Sequence, residues 1–160
     1  MKATVVVLVF CLGFVSGQIA VAQKPSPSAV PADRVTGIGG IFIKARDPKA
    51  LAAWYSDHLG VPRANGAIPP LFQWRDHDDP QRVGNTVWGL FQSDTKYFAP
   101  STAPFMINYR VNNLDRLLAR LRAAGITVEP KVVDDFNGKF GWVMDPEGNK
   151  IELWEPKPGF

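Results

Sequence analysis

The sequence predicts an α+β fold built from two copies of one strand–helix–three-strand module. Three observations predict it. A short apolar strand followed by a capped helix occurs twice at an offset of 66 positions. Each copy is followed by strand-like runs separated by turn residues, and side-chain alternation along the strands sorts one apolar face from one mixed face.

In the first copy, Gly40-Ile41-Phe42-Ile43-Lys44-Ala45 reads as a strand. Asp47 caps the helix that follows, with Pro48 at its first position; Leu51, Trp54, Tyr55, His58 and Leu59 recur at helical spacing, and Gly60 ends it. The strand expected next is brief or irregular, because Val61-Pro62-Arg63 and Ile68-Pro69-Pro70 are poor strand material. Residues 71–75 and 86–91 supply two further strands.

In the second copy, residues 106–111 form the strand, Asn113 takes the cap position, and Leu114, Leu117, Leu118 and Leu121 make the helical stripe that Gly125 terminates. Residues 128–133, 140–144 and 150–154 follow as strands, the last two joined by the hairpin loop Asp145-Pro146-Glu147-Gly148-Asn149. Gly148-Asn149 matches Gly84-Asn85, which pairs Trp88 with Glu152.

Strand parity places Ile41, Ile43, Ala45, Ile107, Tyr109, Val111, Ile151 and Leu153 on one apolar face, the face expected to carry the helices. The opposite parity holds Gly40, Phe42, Lys44, Trp88, Leu90, Met106, Asn108, Arg110, Glu152 and Trp154. If the sheet curls, this mixed face lines a trough with aromatic walls and a few polar groups, the usual makeup of a small-molecule site. The expected ligand-binding set is Phe42, Lys44, Trp88, Met106, Asn108, Arg110, Glu152 and Trp154. Arg110 and Lys44 suit an anionic ligand group, Arg110 bidentately. Glu152 is the candidate general base, its pKa raised by burial beside Trp88 and Trp154; its alternative role is an ion-pair partner for Lys44 or Arg110.

The 160 residues are 46% hydrophobic and 21% charged, which rules out a disordered, collagen-like or multi-pass membrane protein. The 18 Lys and Arg are scattered among 15 acids with no like-charge block, so no nucleic-acid partner is expected. Residues 1–22 read as a signal peptide: Met1-Lys2, an apolar run over residues 4–15, and the small-residue pattern Ala20-Val21-Ala22, with cleavage after Ala22. The mature chain is then secreted or periplasmic with no stable membrane span. The single cysteine, Cys11, lies in that run, so the mature chain has no disulfide, thiolate or cysteine-metal chemistry. Residues 23–34, with three prolines, read as a flexible tether.

Gly39-Gly40-Ile41-Phe42-Ile43-Lys44-Ala45-Arg46-Asp47 with Trp54-Tyr55 and His58-Leu59-Gly60, then Asn108-Tyr109-Arg110-Val111 and Leu114, then residues 145–154, resemble the vicinal oxygen chelate superfamily of glyoxalase I, extradiol dioxygenases and bleomycin-resistance proteins. The resemblance covers residues 35–156, in modules of about 35–100 and 104–156, and leaves 157–160 as a tail. It implies paired βαβββ modules forming a U-shaped mixed sheet around a cavity, with helices on the outer face. Enzymes of the superfamily hold one divalent metal from four equivalent strand positions, which fall here on Gly40, Trp88, Met106 and Glu152. Only Glu152 among these can ligate, so no metal cofactor is expected, and a bleomycin-resistance-like binder of a small organic molecule is the nearer analogy. A homodimer is compatible with the pattern, since modules of this superfamily pair within or between chains.

The alternative is a lyase, isomerase or dioxygenase-like enzyme with an atypical metal site or with Glu152 as base. A third reading is an interaction module whose trough is filled by its own loops. His58 reads as a helix-end histidine. The segment Arg75-Asp76-His77-Asp78-Asp79-Pro80 reads as a solvated turn, with a cation site as its alternative. Trp74, Trp142 and Lys96-Tyr97-Phe98 add aromatic surface able to close over a ligand or to pack the core.

Overall fold

A computed structural model describes residues 33–66, 69–76 and 79–160. The predicted signal peptide, residues 23–32 of the tether, and His77 with Asp78 lie outside the described residues.

The elements run β1 (Val35–Ala45), α1 (Pro48–Leu59), β2 (Leu71–Arg75), β3 (Val83–Gln92), β4 (Phe105–Val111), α2 (Leu114–Ala123), β5 (Val128–Asp135), β6 (Gly138–Met144) and β7 (Lys150–Pro156). They form one open mixed sheet of seven strands in the order β2-β3-β1-β4-β7-β6-β5. The α+β class and the two modules are as the sequence predicts. The modules meet at the antiparallel β1–β4 ladder, where Ile41 stands opposite Ile107; β1 pairs β3 in parallel, and β4 pairs β7 in parallel.

The strand expected directly after α1 reduces to a single bridge residue, Asn65, among the described residues. Pro62, Pro69 and Pro70 lack the N–H that a ladder needs. In the other direction, β1 begins earlier than the predicted Gly40, and its register shifts between Val35 and Gly37 and between Ile38 and Gly40. The second shift leaves Gly39 against its neighbours: a Cβ there would collide with the Asn108 side chain and stand 2.8 Å from the Trp154 ring.

Both helix starts follow the cap chemistry. Ala50 N–H donates to Asp47 Oδ1 at 2.9 Å, and Arg116 N–H to Asn113 Oδ1 at 3.0 Å. Gly60, at φ 70°, closes α1 with its N–H on the Ser56 carbonyl, and Val61 N–H reaches the Tyr55 carbonyl. The helices differ in how they pack. α2 buries Leu114, Leu117 and Leu118 against Val111, Val143 and Leu153. α1 has no buried residue, and Trp54 and Leu59 in it are half-exposed or more. The main aliphatic core therefore sits in the second module. Among the described residues no helix is long and apolar enough to cross a membrane.

Candidate functional site

Residues directly opposite in a ladder share a face, so register alone assembles the mixed face. Phe42 stands opposite Met106, Gly40 opposite Asn108, Asn108 beside Glu152, Arg110 beside Trp154, and Trp142 opposite Glu152. Phe42, Met106, Asn108, Arg110, Glu152 and Trp154 thus share the predicted face. Trp88 does not. In the β1–β3 ladder Ile41 pairs with Trp88 and Phe42 pairs with Gly89, so Trp88 and Leu90 take the face of Ile41. There the Trp88 ring meets Tyr55 of α1 at 5.2 Å, over an apolar groove of about 560 Å³. The Gly-Asn match misaligned β3 by one residue, and a one-residue slip moves a side chain to the other face.

The half of the face around Glu152 is filled. Glu152 is 2% exposed. Its Oε1 accepts hydrogen bonds from the Tyr97 hydroxyl and, at 3.0 Å, from Trp142 Nε1; its Oε2 accepts one from Asn108 Nδ2 at 2.7 Å. Neither Lys44 nor Arg110, the cations expected from sequence, is among these partners. Burial raises the Glu152 pKa above the ordinary carboxylate value, while the hydrogen bonds from Asn108, Tyr97 and Trp142 and the charge of Lys150 oppose the shift. Burial, then the carboxylate charge, pushes the Tyr97 phenol up, so that it stays protonated and donates.

The segment that brings Tyr97 here is the connection from β3 to β4. Phe98, fully buried, packs with Met106 and Trp142, and with Phe42 and Phe91 at the cluster's edge. Lys150, which sequence reasoning did not single out, pins the connection: its Nζ donates to the carbonyls of Tyr97 at 3.1 Å and Ala99 at 3.0 Å and pairs with Glu129 at 2.9 Å. A lysine one residue before a strand's apolar run carries no signal of such a role. Lys44 lies with its ammonium 5.1 Å from the Phe98 ring centre, and Arg110 stands opposite Gly37 at the other end of β1, so the two cations do not converge. Tyr97→Phe removes one of Glu152's three donors. It is expected to cost about 1–2 kcal/mol and to move the Glu152 titration further up, which carboxyl carbon shifts followed against pH would read.

The other half is open. A cavity of about 750 Å³ lies between Trp74, Gly84, Arg110, Glu155 and the tail at Phe160. Trp74 forms its wall because Gly84 lacks a side chain: a Cβ there would collide with the indole, which is held by a 3.0 Å bond from Nε1 to Thr86 Oγ1. Arg110 is 7% exposed, its guanidinium carbon 4.9 Å from the Trp154 ring centre and 5.6 Å from that of Trp74. Its Nη2 donates to the main-chain oxygen of Phe160 at 3.0 Å, and its Nη1 has no hydrogen-bond partner among the described residues. Burial pulls the Arg110 pKa down from the usual arginine value, with Arg82 adding to the effect and Asp76 opposing it.

The family model for a glyoxalase-like domain matches residues 40–154. The chain belongs to this family. It is thereby a vicinal oxygen chelate domain, as the motifs suggest. Solved structures resemble this glyoxalase-like domain at low identity. Methylmalonyl-CoA epimerase from Mycobacterium tuberculosis is 22% identical over 82% of this chain and 95% of its own, with a TM-score of 0.50. A variant of the Streptomyces coelicolor epimerase, in complex with 2-nitronate-propionyl-CoA, is 18% identical over 78% of this chain and 97% of its own, with a TM-score of 0.57. At these identities the likeness establishes the fold. No curated protein matches the sequence significantly.

Within the glyoxalase-like domain the ladder corrects the superfamily's metal positions to Gly40, Gly89, Met106 and Glu152, with Gly89 replacing Trp88. These residues do not fit a divalent metal. The room a ligating side chain would need at Gly40 and Gly89 is taken by Phe42, whose ring would stand 2.9 Å and 2.6 Å from a Cβ at those positions. Met106 is fully buried, and Glu152 is held by three donors. Among the described residues no three of His, Cys, Asp and Glu gather elsewhere as a metal site. His58 stands in the last turn of α1, 5.3 Å from the Trp54 ring.

Proposed function

We propose that this glyoxalase-like domain is an exported binding domain that holds a small organic molecule without a divalent metal, in the cavity walled by Trp74 and floored by Arg110. The observation that carries this reading is a cavity of about 750 Å³, within the range of small-molecule sites, with a buried cation on its floor. Export rests on the signal-peptide pattern of residues 1–22, and the mature chain is expected to begin at Gln23. In this reading Glu152 anchors the packed half of the face. Its burial and its three donors leave a substrate no approach to it as a general base.

Thermal melting of the purified protein tests the proposal. A ligand present at 100 times its dissociation constant adds about 2.7 kcal/mol of stability, so a panel of small organic molecules is expected to contain compounds that raise the melting temperature clearly. Chelation, or addition of Zn²⁺, Ni²⁺, Mn²⁺ or Fe²⁺, is expected to leave it unchanged. Near-stoichiometric bound metal with a melting point that falls on chelation would overturn the metal-free reading. A panel without effect would favour an interaction module filled by its own loops.

A further inference from the structure

Arg110 is the feature of the cavity that its own surroundings do not satisfy. A guanidinium removed from water needs acceptors for its donors, and leaving one unmade is costly. Yet among the described residues Nη1 has no partner, and Nη2 is met by the main-chain oxygen of Phe160 in the tail. The acids lining the same cavity are engaged elsewhere: Asp76 with Arg82 at 2.6 Å, and Glu155 with the Leu114 N–H at the start of α2, also at 2.6 Å. Asn85, whose buried Oδ1 also has no hydrogen-bond partner among the described residues, is another residue lining the cavity.

The flanking rings constrain what can complete Arg110. In the sheet order, Trp154 is on the strand beside Arg110, and Trp74 reaches back from the β2 edge, so two indoles approach the guanidinium, with ring centres 4.9 Å and 5.6 Å from its carbon. The guanidinium is itself planar, with its donors directed outward in its plane. A carboxylate has that shape and matches the fork with two parallel hydrogen bonds. A tetrahedral phosphate projects oxygens out of that plane.

Resting on the cavity reading above, we propose that the ligand is an organic carboxylate with a flat apolar body. Its carboxylate takes the free Nη1 of Arg110 and displaces the Phe160 main-chain oxygen from Nη2, while its body lies in the cavity along Trp74. The tail oxygen is then a stand-in for the ligand's own.

Isothermal titration calorimetry on the whole protein, with benzoate, 2-naphthoate and indole-3-acetate against the three corresponding amides and 2-naphthyl phosphate, tests this. At least one carboxylate is expected to bind 10-fold or more tighter than its amide and than the phosphate, and to weaken as salt is raised. Arg110→Lys, which keeps the charge and loses the fork, is expected to remove most of that preference. Equal binding of carboxylate and amide would overturn the carboxylate assignment and leave the cavity reading standing. Preference for the phosphate, or no binding by any carboxylate, would also overturn it. Should Arg110→Lys not fold, the comparison on the unaltered protein still decides.

Discussion

Glu152→Ala is expected to destabilise the fold by about 4 kcal/mol, because it strips a buried acceptor from three donors at once, two of them on buried residues. The Tyr97 hydroxyl, Trp142 Nε1 and Asn108 Nδ2 all donate to a carboxyl group that is 2% exposed, and Trp142 and Asn108 are themselves buried. Glu152→Gln keeps one acceptor oxygen but places an amide N–H₂ among donors, and is expected to cost about half as much. Urea unfolding of the three proteins gives the comparison. Its pH dependence has a definite sign. A carboxyl whose pKa is raised by folding binds more protons in the native state, so its stabilising contribution is complete below the unfolded value of about 4.3 and is lost as pH rises through the higher folded value. The unaltered protein should therefore lose stability relative to Glu152→Gln as pH climbs from 4 into that window. A difference that stays constant, or one that grows in the opposite direction, would refute burial as the dominant influence on Glu152.

Phe98→Ala is expected to cost about 3–5 kcal/mol, the range for truncating a fully buried aromatic. Phe98 is a loop residue whose ring fills the packed half of the mixed face, 5.3 Å from the Phe91 ring and beneath the Lys44 ammonium. Removing it leaves a void beside Met106 and Phe42 that the sheet, held by its ladders, cannot collapse to fill. Thermal unfolding measures the loss. Recovery of part of it by a small apolar molecule such as benzene would show that the void persists; a loss below 1 kcal/mol would mean that the connection does not pack as described.

Those two residues also mark where legibility in the sequence ended. Glu152 stood out because it closes a strand–turn–strand motif, and its parity placed it correctly on the mixed face. Its partners were not legible: Tyr97 comes from a connection 55 residues away, and nothing local orients that segment. The same holds for Trp88. Alternation within β3 was readable, but which of its two faces turned toward Phe42 depended on register with a strand from the other side of α1. The Gly-Asn match that stood in for that register was off by one residue, which exchanged Gly89 for Trp88. The sequence marks Trp74 and Arg110 separately, and their meeting rests on two glycines, Gly37 and Gly84, whose missing side chains let the indole lie across the sheet.

By itself, the sequence determined the elements, because caps, turns and side-chain periods act over a few residues: Asp47 and Asn113 start the helices, Gly60 and Gly125 mark their ends, and the repeat at an offset of 66 fixes two modules. It also determined which face of β1, β4 and β7 is mixed. Only the tertiary structure decided that this face is divided, one half packed by Phe98 and sealed by Tyr97 over Glu152, the other left as a cavity under Trp74 with Arg110 at its floor. That division is set by strand register and by a long connection folding back onto the sheet, and both are settled by contacts between residues far apart in the chain.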